Sequence, residues 1–196
     1  LERLEPPAKT LIKPFFTFPL AGEPHGETAL RVSRLSAGYY YPVISDISFE
    51  VRRGQKIAIT GFNGIGKSTL LKTLVGELSP LKGGFTLADT ACIGYYEQES
   101  EWDGKNMTPL SALLDWFPHL TQKEARQHLA GCGIDREKAE RQLSTLSGGE
   151  QAKVKLCRLT LMPSNVLILD EPTNHLDELA KEALKEALVK YEGTVI

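Results

Sequence analysis

Three cysteines in 196 residues are too few and too scattered for a disulfide framework. Cys92, Cys132 and Cys157 lie far apart with no CxxC pair, which reads as free or buried thiols of a reducing compartment, the cytoplasm. The four histidines, His25, His119, His128 and His175, show no metal-ligand spacing. No apolar run approaches the roughly 18–20 residues that a membrane-crossing helix needs, so no transmembrane segment is expected in this chain. The formal net charge is only −2, which offers no overall field for nucleic acid. Internal repeats, low-complexity tracts and a signal-peptide pattern are missing as well. What remains is a chain 41% hydrophobic, long enough for one sizeable α/β domain with a small subdomain.

The first 28 residues differ from the rest. Pro6, Pro7, Pro14, Pro19 and Pro24 interrupt them, which excludes a helix and pairs poorly as a strand. Residues 1–28 therefore read as a Pro-rich linker over a surface, with Phe15, Phe16 and Phe18 expected to pin it down. From Leu30 the pattern changes. "LRVSRL" and "ISDISFEV" alternate as strands do, and "KIAIT", "GGFTLAD" and "ACIGYYEQ" read as further short strands. Residues 107 to about 163 read as a helical subdomain. In it Thr108-Pro109 opens one helix, Thr121 with Glu124 forms a capping box that ends near Gly131, and Ser147 caps a helix to about Leu161. Residues 178–190 form an amphipathic helix with Leu179, Ala183, Leu184, Ala187 and Leu188 inward. The chain opens on "LERLEPP" without Met and stops inside strand-like "EGTVI", so a piece of a longer protein, cut short at its C-terminus, is expected.

"GFNGIGKST", residues 61–69, fits G-x-x-x-x-G-K-[ST] between a strand and a helix. Gly61, Gly64 and Gly66 let backbone N–H groups turn inward around an anion, and the helix N-terminus adds its dipole. Lys67 is placed to reach β- and γ-phosphates, and the Ser68 hydroxyl to ligate Mg²⁺. Asn63 and Thr69 complete the nucleotide-binding loop. Phe62 and Ile65 are bulky, but neither position requires glycine.

"VLIL", residues 166–169, is a continuous apolar run of the kind buried on both faces of a parallel sheet. Asp170 follows at its C-terminal end, where open α/β sheets bind ligands, and is assigned to the Mg²⁺ shell. Glu171 is expected on the γ-phosphate side, polarising a water for in-line attack. In "LSTLSGGEQ", Ser147, Gly148 and Gly149 present a hydroxyl and uncovered N–H groups to an anion.

The order phosphate loop, LSGGE, acid pair resembles the nucleotide-binding domain of the ABC ATPases over about residues 29–196. The resemblance implies an α/β P-loop NTPase fold of ABC type: a mostly parallel core sheet, an antiparallel β subdomain and a helical subdomain. It implies Mg-dependent ATP hydrolysis with Glu171 and Gln98 as catalytic residues. It places Gln98 of "YYEQES" at the Q-loop, beside Mg²⁺ and the attacking water, so that Ser68, Gln98 and Asp170 would hold the metal. "GYYYPVISDIS" matches the A-loop, whose aromatic stacks on adenine: Tyr39, with Tyr40 the neighbouring choice. Leu176-Asp177 matches the D-loop that touches an opposite domain. Ser147, Gly148 and Gly149 match the signature that binds ATP held by that second domain, a homodimer copy or a tandem partner. Glu150 stands where many members have glutamine.

"EPTNHLD", with "GGEQAKVKL", resembles the soluble ABC-F proteins, which carry two ATPase domains in one polypeptide and act on ribosomes as translation or antibiotic-resistance factors. The chain then corresponds to the second domain, entered from an interdomain linker, with the ribosome and its RNA as partner. The family's switch histidine would lie beyond "GTVI", which leaves the fragment weak or inactive alone. His175 is a subfamily marker in this reading. Two other readings stand beside it: a nucleotide-binding subunit of an ABC transporter, and a non-enzymatic nucleotide-holding module.

Overall fold

The structure is a computed structural model that describes residues 12–22, 26–98 and 107–196. Of the segment expected as a linker, residues 1–11 and 23–25 lie outside the described residues.

Two sheets organise the described residues. In the first, β1 (Thr28–Gly38) lies between β2 (Pro42–Arg52) and β3 (Lys82–Leu87), antiparallel to both. The β1–β2 register slips at bulges, where Arg34 and Asp46 take φ of +46° and +56°. Two hydroxyls carry the ladder across the gap. Ser48 Oγ accepts from Arg34 N–H (2.8 Å) and Ser36 Oγ from Asp46 N–H (3.3 Å). The second sheet is parallel, in the order β4 (Ile93–Tyr96), β5 (Val166–Leu169), β6 (Thr194–Val195).

The central strand β5 is buried on both faces, as its apolar run requires. Leu167 and Leu169 enter one core with the helices, while Val166 and Ile168 enter another beneath the antiparallel sheet. Period-two alternation sends neighbouring side chains to opposite faces, so one short strand nails both cores together. Helix α1 (Lys67–Leu74) packs Leu70, Leu71 and Leu74 into the second core.

The strand expected over "KIAIT" forms only in part. Lys56 makes one parallel bridge to Val195, and Ile57 N–H donates to Val195 O (2.9 Å). Residues 57–60 run on outside any named strand.

Four helices fill residues 109–161: α2 (Pro109–Trp116), α3 (Gln122–Gly131), the short α4 (Arg136–Ala139) and α5 (Gly148–Leu161). Their starts follow the capping residues. Thr108, Thr121 and Ser147 each close a capping box, with Ser111, Glu124 and Glu150 answering from the third helical position. Helix α6 (Glu178–Lys190) buries Ala180, Ala183, Leu184 and Ala187, with Leu179 and Leu188 half-buried at the edges of that face. No described helix is long and apolar enough to cross a membrane.

Residues 12–22 strap these parts together. Phe15 N–H donates to Gly131 O (2.8 Å) at the end of α3, and Ser164 exchanges backbone bonds with Pro19 O and Ala21 N–H. Phe16 and Phe18 are buried, and the Phe18 ring meets Tyr191 edge-on at 6.1 Å. Phe15, expected to help pin the segment, is 69% exposed instead. In an extended chain its neighbours point the other way, and they take the core side.

Candidate functional site

The phosphate loop turns on its glycines. Gly64 and Gly66 have φ of +81° and +105°, values that a Cβ makes costly. Gly66 is the N-cap of α1, and no side chain caps it, so the first N–H groups of that helix face the loop. This contrasts with the side-chain caps on α2 to α6. A second constraint on Gly66 comes from above. A Cβ there would stand 2.7 Å from Ile44 Cγ2 and 2.9 Å from Val43 Cγ1. The start of β2 thus roofs the loop, a contact that the sequence reading missed. Its only signal was that these two residues follow the tyrosine turn.

The Lys67 ammonium donates to Gly61 O (3.0 Å) and Phe62 O (3.2 Å) and lies 3.6 Å from Glu171 Oε1. A triphosphate would compete with those two carbonyls for the same donor. Thr69 is buried, Ser68 half-buried, and Asn63 exposed on the loop. Phe62 is 87% exposed, which its freedom from any glycine requirement allows.

At the end of β5, Asp170 N–H closes the ladder on Tyr96 O (2.9 Å). Asp170 is 3% exposed. A buried carboxylate is costly, and a cation beside it lowers that cost. Asp170, the Ser68 hydroxyl and the Gln98 amide each offer an oxygen, the donor type that Mg²⁺ takes. The chain's residues therefore fit the ion. Once bound, it would neutralise phosphate charge.

Glu171 sits just outside the strand with φ +48°, a left-handed turn that swings its carboxylate toward Lys67. Asn174 Nδ2 donates to Glu171 Oε2 (2.6 Å), and Asn174 N–H to Glu171 O (3.1 Å), which fixes the carboxylate. The structure thus brings Lys67 and Glu171 together, and Asn174 joins them unforeseen. Three-residue spacing inside "EPTN" was its only trace.

Gln98 lines an open cleft of about 410 Å³ with Gly148, Lys155, Glu171 and His175. The start of α5 forms one wall. Ser147 Oγ accepts from Glu150 N–H (3.3 Å), and Glu150 Oε2 accepts from Ser147 N–H (2.9 Å). Burial pushes the Glu150 carboxyl up, but the bonds from Ser147 and from Lys138 outweigh it and hold it below its ordinary range. His175, with φ +65°, lies directly on this helix start. A Cβ on Gly148 would meet the His175 ring at 3.2 Å, and one on Gly149 would meet His175 O at 2.5 Å. Gly149 is therefore required by the neighbouring loop, whereas at Gly148 the exposed His175 ring would have to give by a few tenths of an ångström. Asp177 caps α6 through Ala180 N–H (2.9 Å) and pairs with Lys153 of α5. Tyr39 and Tyr40 are 62% and 92% exposed in the β1–β2 turn.

Comparison with known proteins adds the family. The profile described as ABC transporter matches residues 44–174. The chain is 45% identical over 184 residues to the Bacillus subtilis ABC transporter ATP-binding protein YfmM, covering 94% of this chain and 35% of that protein. It is 36% identical over 174 residues to ABC transporter F family member 5 of Arabidopsis thaliana, covering 87% and 25%. The fold is similar to that of an ABC transporter ATP-binding protein from Pyrococcus furiosus, with TM-score 0.68, 24% identity and 85% and 89% of the two chains covered. The chain spans about a third or less of the length of these curated relatives.

Proposed function

Because the chain belongs to the ABC transporter family of ATP-binding domains, we propose that it binds and hydrolyses ATP as one half of a two-domain sandwich in a cytoplasmic ABC-F protein acting on the ribosome. ABC domains work in pairs, and the 1-to-3 length ratio to its relatives leaves room for a second domain in the same polypeptide.

One observation carries the enzymatic reading. Glu171 Oε1 stands 3.6 Å from the ammonium of the phosphate-loop lysine, with Asn174 holding its other oxygen. A carboxylate fixed beside the γ-phosphate position can orient water and take its proton. Lys67, the loop N–H groups and Ser68 hold the triphosphate, with Asp170 and Gln98 completing the metal's oxygen set. Ser147, Gly148 and Gly149 act on the nucleotide of the partner domain, and Asp177 faces that partner. Tyr39 stacks on the adenine.

Glu171→Gln keeps the shape and the Asn174 contact but removes the base. In the protein at its full natural length, turnover is expected to fall at least about 100-fold while ATP stays bound. Unchanged turnover would remove Glu171 from this role. The ABC-F reading is supported by "EPTNHLD" and by the similarity to YfmM and to the Arabidopsis F family member. With ATP trapped by Glu171→Gln, the protein is expected to sediment with ribosomes. Recovery in membranes would favour a transporter subunit instead, the class named in the family's description.

A further inference from the structure

The described Q-loop start, Glu97-Gln98, lies between two helices. Past the Tyr96 carbonyl, which closes the β4–β5 ladder on Asp170 N–H, the strand bonds end. The next two carbonyls are taken by one side chain: Lys155 Nζ donates to Glu97 O (3.0 Å) and Gln98 O (2.8 Å). Lys155 lies on α5, the helix whose first residues are Gly148 and Gly149, and its ammonium sits 5.8 Å from the centre of the Tyr96 ring. From the other side, the Glu97 carboxylate pairs with Lys72 of α1 at 2.9 Å and holds that ammonium above its ordinary range. The backbone of Gln98 is thus gripped from the signature helix, and its neighbour's side chain from the phosphate-loop helix.

The geometry points to Lys155 as a positioning residue for Gln98, coupling the signature helix to the metal site of the same chain. Charge-assisted bonds are short and directional, and two from one ammonium fix the carbonyls on either side of the Gln98 Cα. The Gln98 side chain leaves from that Cα. A shift of α5 against the core therefore drags the Gln98 amide with it. In this arrangement engagement of Ser147–Gly149 by a second domain is felt at the Mg²⁺ site through a single lysine stem. Lys155 touches no nucleotide itself, so its effect must appear in the metal's contribution and in turnover, with nucleotide affinity without metal left alone.

The inference rests on the ATPase reading above, and its test separates the two. In the protein at full natural length, Lys155→Met keeps the stem and removes the ammonium, while Lys155→Arg restores a cation able to reach two carbonyls. Lys155→Met is expected to lower kcat about tenfold, a larger change than any in KM for ATP. The affinity gained on adding Mg²⁺, read as the ratio of Kd for a fluorescent ATP analogue in EDTA and in Mg²⁺, should shrink at least about threefold, with Kd in EDTA unchanged. Lys155→Arg should recover both readouts. Wild-type values for Lys155→Met, or an equal loss of affinity in EDTA and in Mg²⁺, would overturn the proposal. Lys155→Gln is read the same way if Lys155→Met does not fold. A wild type that binds but never hydrolyses sinks the ATPase reading alone, because the Mg²⁺-dependent binding ratio still reports on Lys155.

Discussion

At the scale of single residues, two glycines separate what a helix needs from what a neighbour imposes. Gly149 faces the backbone oxygen of His175, where an added Cβ would stand 2.5 Å away, whereas Gly131, last residue of α3, has open space around it. Backbone cannot yield as a flexible side chain can. Gly149→Ala is expected to cost about 1–3 kcal/mol by forcing α5 and the His175 loop apart. Gly131→Ala should be neutral or stabilise by up to about 1 kcal/mol through helix propensity. Thermal melting of both variants checks the contrast, and equal melting points would refute the His175 contact. The two residues look alike in sequence, each a glycine at a helix end. The 57- and 58-residue separations between Lys155 and its carbonyls were equally illegible, since lysine on a helix face is ordinarily a solvated charge. The places of Lys67, Asp170 and Glu171 were legible because they depend on local order: strand, glycine turn, helix, and strand, acid, acid.

At the scale of elements, helix starts were written plainly. The Thr121–Glu124 and Ser147–Glu150 pairs close as the spacing dictates, because a capping box involves only four consecutive residues. The partial strand at residues 56–60 was not legible, because a strand exists only where a neighbour supplies a ladder, and the residues' own pattern does not name that neighbour. The α5 cap carries a pH signature. The folded Glu150 carboxyl lies below its ordinary value, so its stabilisation is fully present above about pH 4.3 and is lost as pH falls through the lowered value. Wild-type melting temperature is therefore expected to drop more steeply between about pH 5 and 3 than that of Glu150→Gln. Parallel curves would show that the cap carries no such linkage.

At the scale of the molecule, the pattern of "VLIL" announced a strand with two buried faces, and the two cores that meet across it follow from that alone. The strap of residues 12–22 was expected to lie on a surface, yet it contributes core. Phe16 is 3% exposed and Phe15 69%, so Phe16→Ala should lower stability by about 3–5 kcal/mol and Phe15→Ala by less than about 0.5 kcal/mol. Urea unfolding midpoints decide this, and comparable shifts for the two would show that the strap is not anchored by its buried ring. The strap also has a mechanical order. A pull from the amino end meets the exposed ion pairs of Lys13 with Glu182 and Glu186 first, then the Phe15–Gly131 bond, and the paired bonds at Ser164 last. Tension parts these fastenings in succession, as along a seam, and it loads α6 and α3 before it reaches the sheet.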